Sequence, residues 1–161
     1  MNADVDLTHP FVGLSPEQAA AFAERWLPAW TGNEPERLAA FYTDDLFYCD
    51  PTVPAGLVGK AAFLDYLRTL LRHNPRWRWT HRHGVPMRDG FVNHWHLTAP
   101  VGDIDVEVDG VCLVHFRDGL ISRNEVYFDP SRLVTAIGDW NARKPGRGRD
   151  GSQHDTRSVR S

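Results

Sequence analysis

The spacing of apolar residues changes once along the chain, from a helical repeat to an alternating one. Before Pro75, apolar residues recur every three or four positions, which is the repeat of an amphipathic helix. After Pro75, they alternate with polar residues, which is the repeat of a strand with one buried face. The pattern predicts an α+β fold in which three N-terminal helices cover one face of a curved antiparallel sheet.

Capping and breaking residues predict the bounds of the three helices. The first begins at the capping box Ser15–Gln18, and Pro28 is expected to kink or shorten its last turn. The second is predicted to be capped by Asn33, with Tyr42 at the end of its apolar stripe. The third starts near Gly59. Its apolar stripe consists of Phe63, Tyr66, Leu67, Leu70 and Leu71.

Three turn signals divide the second half into four predicted strands. These signals are Asp89-Gly90, Pro100–Gly102 and Asp118-Gly119. A short extended piece, Leu46 to Cys49, is also predicted between the second and third helices. The four strands comprise residues 77–86, 91–99, 104–117 and 120–128.

The first turn also predicts which residues share a face of the sheet. If Asp89-Gly90 is a two-residue turn, His83 lies opposite His96, and histidine and tryptophan gather on one face. A slip of one residue would divide this set between the two faces. Its members are Trp77, Trp79, His81, His83, His94, His96 and Thr98.

The last hairpin is predicted to have one apolar face and one mixed face. Residues 117–119 are interpreted as a three-residue loop. The mixed face, which includes Ile121, is either solvated or packed against a second copy, and we predict a homodimer through the sheet. The apolar face contains Ile104, Val106, Val108, Cys112, Val114, Phe116, Leu120, Ser122, Asn124, Val126 and Phe128.

Composition and charge are typical of one globular domain. The chain has 161 residues, is 42% hydrophobic, and contains no run of about 18 apolar residues that would span a membrane. The net charge is −3, although six Arg and Lys residues follow Trp140 against two Asp residues. The body is therefore acidic, and nucleic-acid binding is not predicted. The acidic N-terminus and two cysteines outside any zinc pattern predict a cytoplasmic protein.

The same pattern predicts one domain with two flanking segments. Residues 1–14 form an N-terminal arm, and residues 15–140 form the α+β domain. Residues 141–161 are rich in Gly, Ser, Arg and Asp, which predicts a disordered basic tail.

Three stretches of sequence, together with the order of the elements, resemble a known superfamily. Asn33–Pro51, Gly56–Lys60 and Gly110–Pro130 are similar to the SnoaL-like polyketide cyclases and ketosteroid isomerases. Limonene epoxide hydrolase and nuclear transport factor two share this superfamily. The resemblance implies a sheet wrapped around a long helix, forming a cone with a deep apolar pocket. It does not identify the activity, because the fold serves many functions.

The resemblance also implies roles for particular residues. Asp50 matches the general base of ketosteroid isomerases, which moves a proton between carbons next to a carbonyl. Trp26 and Cys112 match the two acids that stabilise the enolate oxygen, but neither is a strong donor, so steroid isomerase activity is not predicted. Tyr48 and Asp50 match the water-holding pair of the epoxide hydrolase, whose charged centre is missing from this chain.

Asp50, His94 and His96 are the candidate catalytic residues. A carboxylate can take a proton from carbon, and an imidazole can donate one to the enolate oxygen. Each has a structural alternative: Asp50 as a cap or turn residue before Pro51, and the two histidines as hydrogen-bonded residues on a half-buried strand. Although these side chains with His83 are metal-ligand types, the superfamily usually works without metal, and no metal site is predicted.

Eight further residues are candidate ligand contacts, because they would line the pocket. Aromatic walls favour a flat ligand, and a polar Asn124 on an apolar face would need a partner. The eight are Trp26, Tyr48, Trp79, His83, Cys112, Asn124, Val126 and Phe128.

Two functions are predicted from these residues. The first is a small enzyme without a cofactor, acting by acid–base enolate chemistry on an apolar cyclic or polyketide-like ketone. Isomerisation, aldol cyclisation and dehydration all remain open. The alternative is a non-catalytic protein that binds a hydrophobic small molecule in the same cone. A third hypothesis, association of the tail with an acidic macromolecule, concerns residues 141–161 only.

Overall fold

Residues 13–143 are described by the structure, a computed structural model of the chain. The predicted arm and tail lie almost entirely outside these residues. The helices are α1 (Pro16–Trp26), a 3₁₀ helix (Leu27–Trp30), α2 (Pro35–Ala39), α3 (Lys60–His73) and α4 (Ser131–Arg143). The strands are β1 (Tyr42–Cys49), β2 (Leu57–Val58), β3 (Arg78–Met87), β4 (Gly90–Val101), β5 (Ile104–Arg117) and β6 (Leu120–Phe128).

The six strands form one open sheet in the order β2-β1-β6-β5-β4-β3. The predicted meander from β3 to β6 is confirmed, since each of these strands is antiparallel to the next. The sheet is mixed rather than purely antiparallel, because β1 runs parallel to β6 and pairs Tyr48 with Asn124. Interruptions in the register of three strand pairs are of the kind that bend a sheet.

Local chemistry explains how the first helix begins and ends. Ser15 Oγ accepts a hydrogen bond from the Gln18 amide at 3.2 Å, and Gln18 Oε1 accepts one from the Ser15 amide at 2.8 Å. The predicted capping box is thus confirmed. α1 ends at Trp26 and continues as the 3₁₀ helix that contains Pro28. Proline has no amide N–H for the α-helical bond, which accounts for the shortened last turn.

The second helix is shorter than predicted. It spans five residues, its N-cap is Glu34 rather than Asn33, and no side chain caps it. Tyr42, predicted to end its apolar stripe, is instead the first residue of β1. Tyr42 and Thr43 are an aromatic and a β-branched residue, which favour a strand. The third helix begins directly after Gly59, as predicted.

A fourth helix, α4, follows the sheet and is not predicted from the sequence. It begins beyond Asp129, whose Oδ1 accepts a hydrogen bond from the Ser131 amide at 2.9 Å. Leu133 buries its side chain in the core. Trp140 lies so close to Gly102 that a Cβ there would be 2.3 Å from the indole. The helix includes residues 141–143, which fall in the predicted tail.

The β3–β4 hairpin is paired differently from the prediction. Its two turn residues are Arg88-Asp89 rather than Asp89-Gly90, so His83 pairs with His94 instead of His96. A bulge directly before His83 then reverses the faces of the strand. The predicted histidine and tryptophan face is therefore divided between the two sides of the sheet.

The β5–β6 hairpin keeps most of its predicted faces although its turn differs. The turn has two residues, Asp118 (φ 53°) and Gly119 (φ 78°), whose left-handed conformations suit a tight hairpin. A bulge near the turn restores the predicted faces but not the predicted pairing, since Cys112 pairs with Val126 whereas a three-residue loop would place it opposite Asn124. Ile121 lies on the turn side of this bulge, and is buried rather than on the mixed face.

One hydrophobic core lies between the inner face of the sheet and the helices α1 to α3. Large aromatic side chains occupy much of it; Trp26 and Trp95 are each 1% exposed. Within residues 13–143, no helix is both long enough and apolar enough to cross a membrane. The core surrounds a small cavity.

Candidate functional site

A small apolar cavity lies between the first helical segments and the inner face of the sheet. Its volume is about 30 Å³, which is room for about one water molecule. Sites for drug-sized ligands measure roughly 300–1,000 Å³. The predicted deep pocket is thus replaced by a small cavity, because aromatic side chains fill the interior. The lining residues are Trp26, Leu27, Trp30, Tyr48, Trp79, Trp95, Cys112, Asn124 and Val126.

Indole rings form much of the cavity wall. The Trp79 ring centroid lies 4.9 Å from that of Trp95 and 6.0 Å from that of Trp30, within the usual range of aromatic contacts. Trp26 and Trp95 are buried, whereas Trp79 is only half-buried. The Trp79 side chain therefore lies between the cavity and solvent.

Three lining residues have buried polar atoms without a hydrogen-bond partner: Trp26 Nε1, Trp79 Nε1 and Asn124 Oδ1. Each such atom costs about 1–3 kcal/mol if nothing pairs with it. The Trp26 N–H is close enough to the Tyr42 hydroxyl to oppose the rise that burial causes in the Tyr42 pKa. Trp79 Nε1, a donor, and Asn124 Oδ1, an acceptor, therefore remain as unpaired atoms of lining residues.

Asn124 is held in place by its other amide atom. Its side chain is fully buried, and Nδ2 donates to the Tyr42 hydroxyl at 3.0 Å. Burial raises the pKa of Tyr42 well above its usual range, so the phenol stays neutral. The pair links β6 to β1 beside the cavity.

Trp26 and Cys112, which match the two oxyanion acids by sequence, both line the cavity. Burial raises the pKa of the Cys112 thiol to about 12. The thiol is therefore neutral at physiological pH, and thiolate chemistry is not expected of it. Among the described residues, no Asp, Glu, Lys, Arg or His belongs to the cavity lining.

Asp50 accepts five hydrogen bonds at the end of β1 and is 7% exposed. Oδ1 accepts from the Thr52 amide and hydroxyl, each at 2.7 Å, and from the Val53 amide at 3.1 Å. Oδ2 accepts from the Tyr48 hydroxyl at 2.8 Å and the Tyr66 hydroxyl at 2.5 Å. Asp50 is thus a turn residue through one oxygen and the centre of a tyrosine pair through the other.

The two tyrosines connect Asp50 to different surroundings. Tyr48 lines the cavity, while Tyr66 lies on α3 and also approaches the Thr52 hydroxyl at 3.3 Å. Burial and the nearby Asp50 carboxylate raise the pKa of both phenols, so both remain donors. From the sequence, Tyr66 is predicted only as part of the apolar stripe of the third helix, because its contact with Asp50 depends on how α3 packs on β1.

The candidate catalytic histidines lie on the outer face of the sheet. Trp95 and Leu97 are buried on the inner face, so alternation along β4 places His94 and His96 outside. His94 Nδ1 lies 3.3 Å from Nδ1 of His83, also outside the cavity. The structure does not bring these histidines together with Asp50, which corrects their predicted partnership.

Two carboxylates hold His96 on that outer face. Its Nδ1 lies 2.9 Å from Asp109 Oδ1, and its Nε2 contacts Glu107. The hydrogen bond between His96 and Asp109 holds the pKa of the Asp109 carboxyl below its usual value. The arrangement corresponds to the structural alternative, a hydrogen-bonded histidine on a half-buried strand.

Most of the predicted ligand contacts do reach the cavity. Phe128 instead packs against Trp95, with 5.6 Å between the ring centroids, and is outside the lining. Leu27, Trp30 and Trp95 line it but are not among the eight predicted contacts; the alternation of β4 signals Trp95 once the register is known. Within residues 13–143, no three His, Cys, Asp or Glu side chains are arranged to hold a metal ion.

The sequence of this chain matches the sequence model of a known protein family. The SnoaL-like domain matches residues 23–124, which include most of the cavity lining and Asp50. The chain therefore belongs to the SnoaL-like family. No curated protein matches the chain at a significant level.

Solved structures share the fold at low sequence identity. A protein of ketosteroid isomerase-like fold from Catenulispora acidiphila, in complex with trimethylamine, has a TM-score of 0.64 and 18% identity, covering 72% of this chain and 91% of its own. TerC, co-crystallised with polyporic acid, has a TM-score of 0.63 and 18% identity, covering 77% and 99%. A SnoaL-like polyketide cyclase candidate from Jannaschia has a TM-score of 0.62 and 18% identity, covering 77% and 95%.

Proposed function

We propose that the protein binds a small apolar ring compound in the cavity lined by tryptophan. The observation that carries this proposal is the pair of unpaired polar atoms, Trp79 Nε1 and Asn124 Oδ1, in an otherwise apolar aromatic wall. A ligand that reaches them recovers hydrogen bonds as well as apolar contact. TerC and the Catenulispora protein, which share the fold, were crystallised with small organic molecules.

Binding requires the cavity to expand. Its volume of about 30 Å³ is below that of any aromatic ring. Trp79 is the lining tryptophan that is half-buried, so moving its side chain outward disturbs the core least. We therefore expect induced enlargement at Trp79 rather than a preformed site.

Three features favour binding over catalysis. All five hydrogen bonds to Asp50 come from the protein itself, which leaves its carboxylate poorly placed to take a proton from a ligand. Trp26 and Cys112 replace stronger acids. The histidines that would assist Asp50 lie on the other face of the sheet.

A thermal-shift and calorimetric screen with cyclic ketones, phenols and polycyclic quinones tests this function. Val126→Phe should fill the cavity and abolish binding, because Val126 lines it. Val85→Phe is the matched control, since Val85 is 55% exposed on β3. Binding that survives Val126→Phe unchanged would place the ligand elsewhere and reject the proposal.

Acid–base catalysis on a ketone is the second candidate function. One observation favours it: the buried Asp50 carboxylate accepts hydrogen bonds from two tyrosine hydroxyls, and one of these tyrosines, Tyr48, lines the cavity. In this mechanism Asp50 takes a proton from the carbon next to the carbonyl, and a tyrosine hydroxyl donates to the enolate oxygen. No cofactor takes part.

Hydrogen–deuterium exchange at the acidic C–H of a bound ketone distinguishes the two functions. Exchange that is faster than in buffer, and lost in Asp50→Asn with binding retained, would establish catalysis. Tyr66→Phe should slow it, because Tyr66 is the partially exposed donor to Asp50. Binding without exchange would support the binding function and reject catalysis.

We also propose a homodimer through the outer face of the sheet. Val111 and Leu113 are half-buried there, and their partners on β6 are Tyr127 and Glu125. Val111→Asp should then yield a monomer in size-exclusion chromatography with light scattering. Val134→Asp, at a 63% exposed site on α4, is the control. An unchanged mass for Val111→Asp would reject this interface.

A further inference from the structure

Two histidines on the outer face of the sheet hold their ring nitrogens close together. His83 on β3 pairs with His94 on β4, and the Nδ1 atoms of the two rings lie 3.3 Å apart. The ring planes are inclined by 73°, with 4.9 Å between the ring centroids. Neither residue lines the cavity, so the role of this pair is independent of the function proposed above.

The bulge in β3 is what places the two side chains on one face. The pairing that precedes the bulge would, if continued, put His83 opposite Asn93, whose side chain is buried on the inner face. With Arg82 as the extra residue, His83 pairs instead with His94. Bulges commonly re-aim side chains in this way beside functional sites. Regular pairing then continues to Met87, which fixes the backbone around the pair.

The separation of the two nitrogens matches a metal chelate and is long for a hydrogen bond. A good N–H···O hydrogen bond measures about 2.7–3.2 Å. Two nitrogens bound at about 2.0–2.1 Å to a tetrahedral zinc ion lie about 3.3–3.4 Å apart. The observed 3.3 Å therefore allows both rings to bind one ion without a change in this separation.

Charges near the pair do not exclude a cation. After the hydrogen bond from His96, the charges of His96, Arg82 and His94 are what lower the pKa of the Asp109 carboxyl. Asp109 thus lies within electrostatic range of both His94 and Arg82, and its carboxylate offsets the positive charge of Arg82. Access is open as well, because His83 is exposed on β3, an edge strand of the sheet.

We propose that His83 and His94 chelate one divalent transition-metal ion, such as zinc, on the outer face of the sheet. Imidazole nitrogens suit zinc, nickel and copper ions, whereas magnesium and calcium prefer oxygen ligands. Within residues 13–143, no three His, Cys, Asp or Glu side chains are arranged around a metal position. Water therefore fills the remaining coordination positions, and the ion is exchangeable.

Calorimetric titration of the untagged full-length chain with zinc chloride tests this proposal, with magnesium chloride as the comparison. We expect one zinc ion per chain, bound at least about tenfold more tightly than magnesium, because the ligands are nitrogen atoms. Zinc that binds no more tightly than magnesium would overturn the proposal. One zinc ion per two chains would mean that two copies share the ion, and would overturn chelation within one chain.

Single substitutions assign the ion to the two histidines. His83→Gln and His94→Gln should each lower the zinc affinity at least about tenfold, because even a residue that only supports a metal ligand contributes about 10–100-fold. His73→Gln on α3 is the matched control, since His73 is exposed and its Nδ1 lies 2.7 Å from the Thr69 carbonyl oxygen. It should bind zinc as the wild type does.

The variants also remain informative if one of them does not fold. His83 is exposed whereas His94 is half-buried, so His83→Gln alone decides the question if His94→Gln is unstable. Unchanged zinc affinity in His83→Gln, or an equal loss in His73→Gln, would place the ion elsewhere and overturn the proposal. Neither result changes the expected binding of ring compounds, which is measured at Val126 in the cavity.

Discussion

The two oxygens of Asp50 serve different parts of the molecule. Oδ1 closes the turn at Thr52 and Val53 that follows β1, as aspartate commonly does in turns. Oδ2 joins β1 to α3 through the hydroxyl of Tyr66. Because both contacts are buried or half-buried, removing the carboxylate leaves several donors unpaired.

This arrangement predicts a difference between two substitutions of Asp50. Asp50→Ala removes both acceptors and should lower the free energy of unfolding by about 2–4 kcal/mol. Asp50→Asn keeps one carbonyl oxygen for the turn and should cost about half as much. Urea denaturation of the two variants measures both values; equal losses would show that the turn contacts contribute nothing.

Cys112 provides a second prediction at the residue scale. Because burial raises the pKa of its thiol to about 12, the reactive thiolate is scarce near neutral pH. Iodoacetamide at pH 8 should therefore leave Cys112 unmodified in the native protein and alkylate it in urea, as judged by peptide mass spectrometry. Rapid labelling of native Cys112 would mean that the cavity opens freely to solvent.

The roles of individual residues are predictable from the sequence to different degrees. The turn role of Asp50 follows from its position before Pro51, because Asp-Pro is a local signal. The contact between Asp50 and Tyr66 joins residues far apart in the sequence, and no local pattern encodes it. The outward position of His94 follows from the register of β4, which a short turn signal leaves uncertain by one or two residues.

At the scale of elements, turns and caps are predictable, while bulges are not. The bounds of α1, α3 and the four long strands follow from Pro, Gly and capping residues. A bulge such as the one before His83 needs no special residue, yet it exchanges the two faces of a strand. α4 has a helical repeat of its own, Leu133, Ala136, Ile137 and Trp140, beside a polar tail that conceals it.

Two glycines test how tightly the strands and helices pack. A Cβ at Gly110 on β5 would lie 2.3 Å from the Trp95 ring and 2.9 Å from Phe128 Cβ. Gly110→Ala should therefore lower the free energy of unfolding by about 2–3 kcal/mol. Gly138→Ala on α4 meets nothing within 4 Å and should raise it by up to about 1 kcal/mol.

Urea denaturation of both glycine variants provides the comparison. Since the two substitutions add the same methyl group, their opposite signs would isolate the effect of crowding against Trp95. A neutral Gly110→Ala would show that the indole moves aside at little cost, and that the cavity wall is softer than the contacts indicate.

At the scale of the whole molecule, ion pairs of the described residues lie on the helices and on the outer face of the sheet, and the cavity lining contains none of these charged residues. His115 lowers the pKa of Asp89, His96 lowers that of Asp109, and Arg123 lowers that of Glu125. A carboxyl whose pKa is lower in the folded than in the unfolded chain stabilises the folded state. This stabilisation is fully present at pH values above the ordinary pKa, which is 3.8 for Asp and 4.5 for Glu. That stabilisation is lost as the pH falls through the lowered values.

The urea midpoint should therefore decrease below about pH 4.5, and the decrease should be gradual because these carboxyls are largely exposed. His96→Gln should weaken the dependence, since it removes the imidazole whose hydrogen bond lowers the pKa of Asp109. Urea midpoints recorded between pH 7 and pH 3 show whether the midpoint decreases on acidification. A midpoint that rises on acidification would contradict the assignment of these contacts.

The parallel pairing of β1 with β6 has a consequence for synthesis. Tyr48 pairs with Asn124 across these two strands. β1 is synthesised early, so it can form its backbone hydrogen bonds with β6 only after β6 has been synthesised. During translation the nascent chain exposes β1 and the apolar side of α3 until β6 has left the ribosome. Closure of the sheet is thus expected to be a late event that depends on distant contacts, and truncation before β6 would leave a chain without one of the two central strands of its sheet.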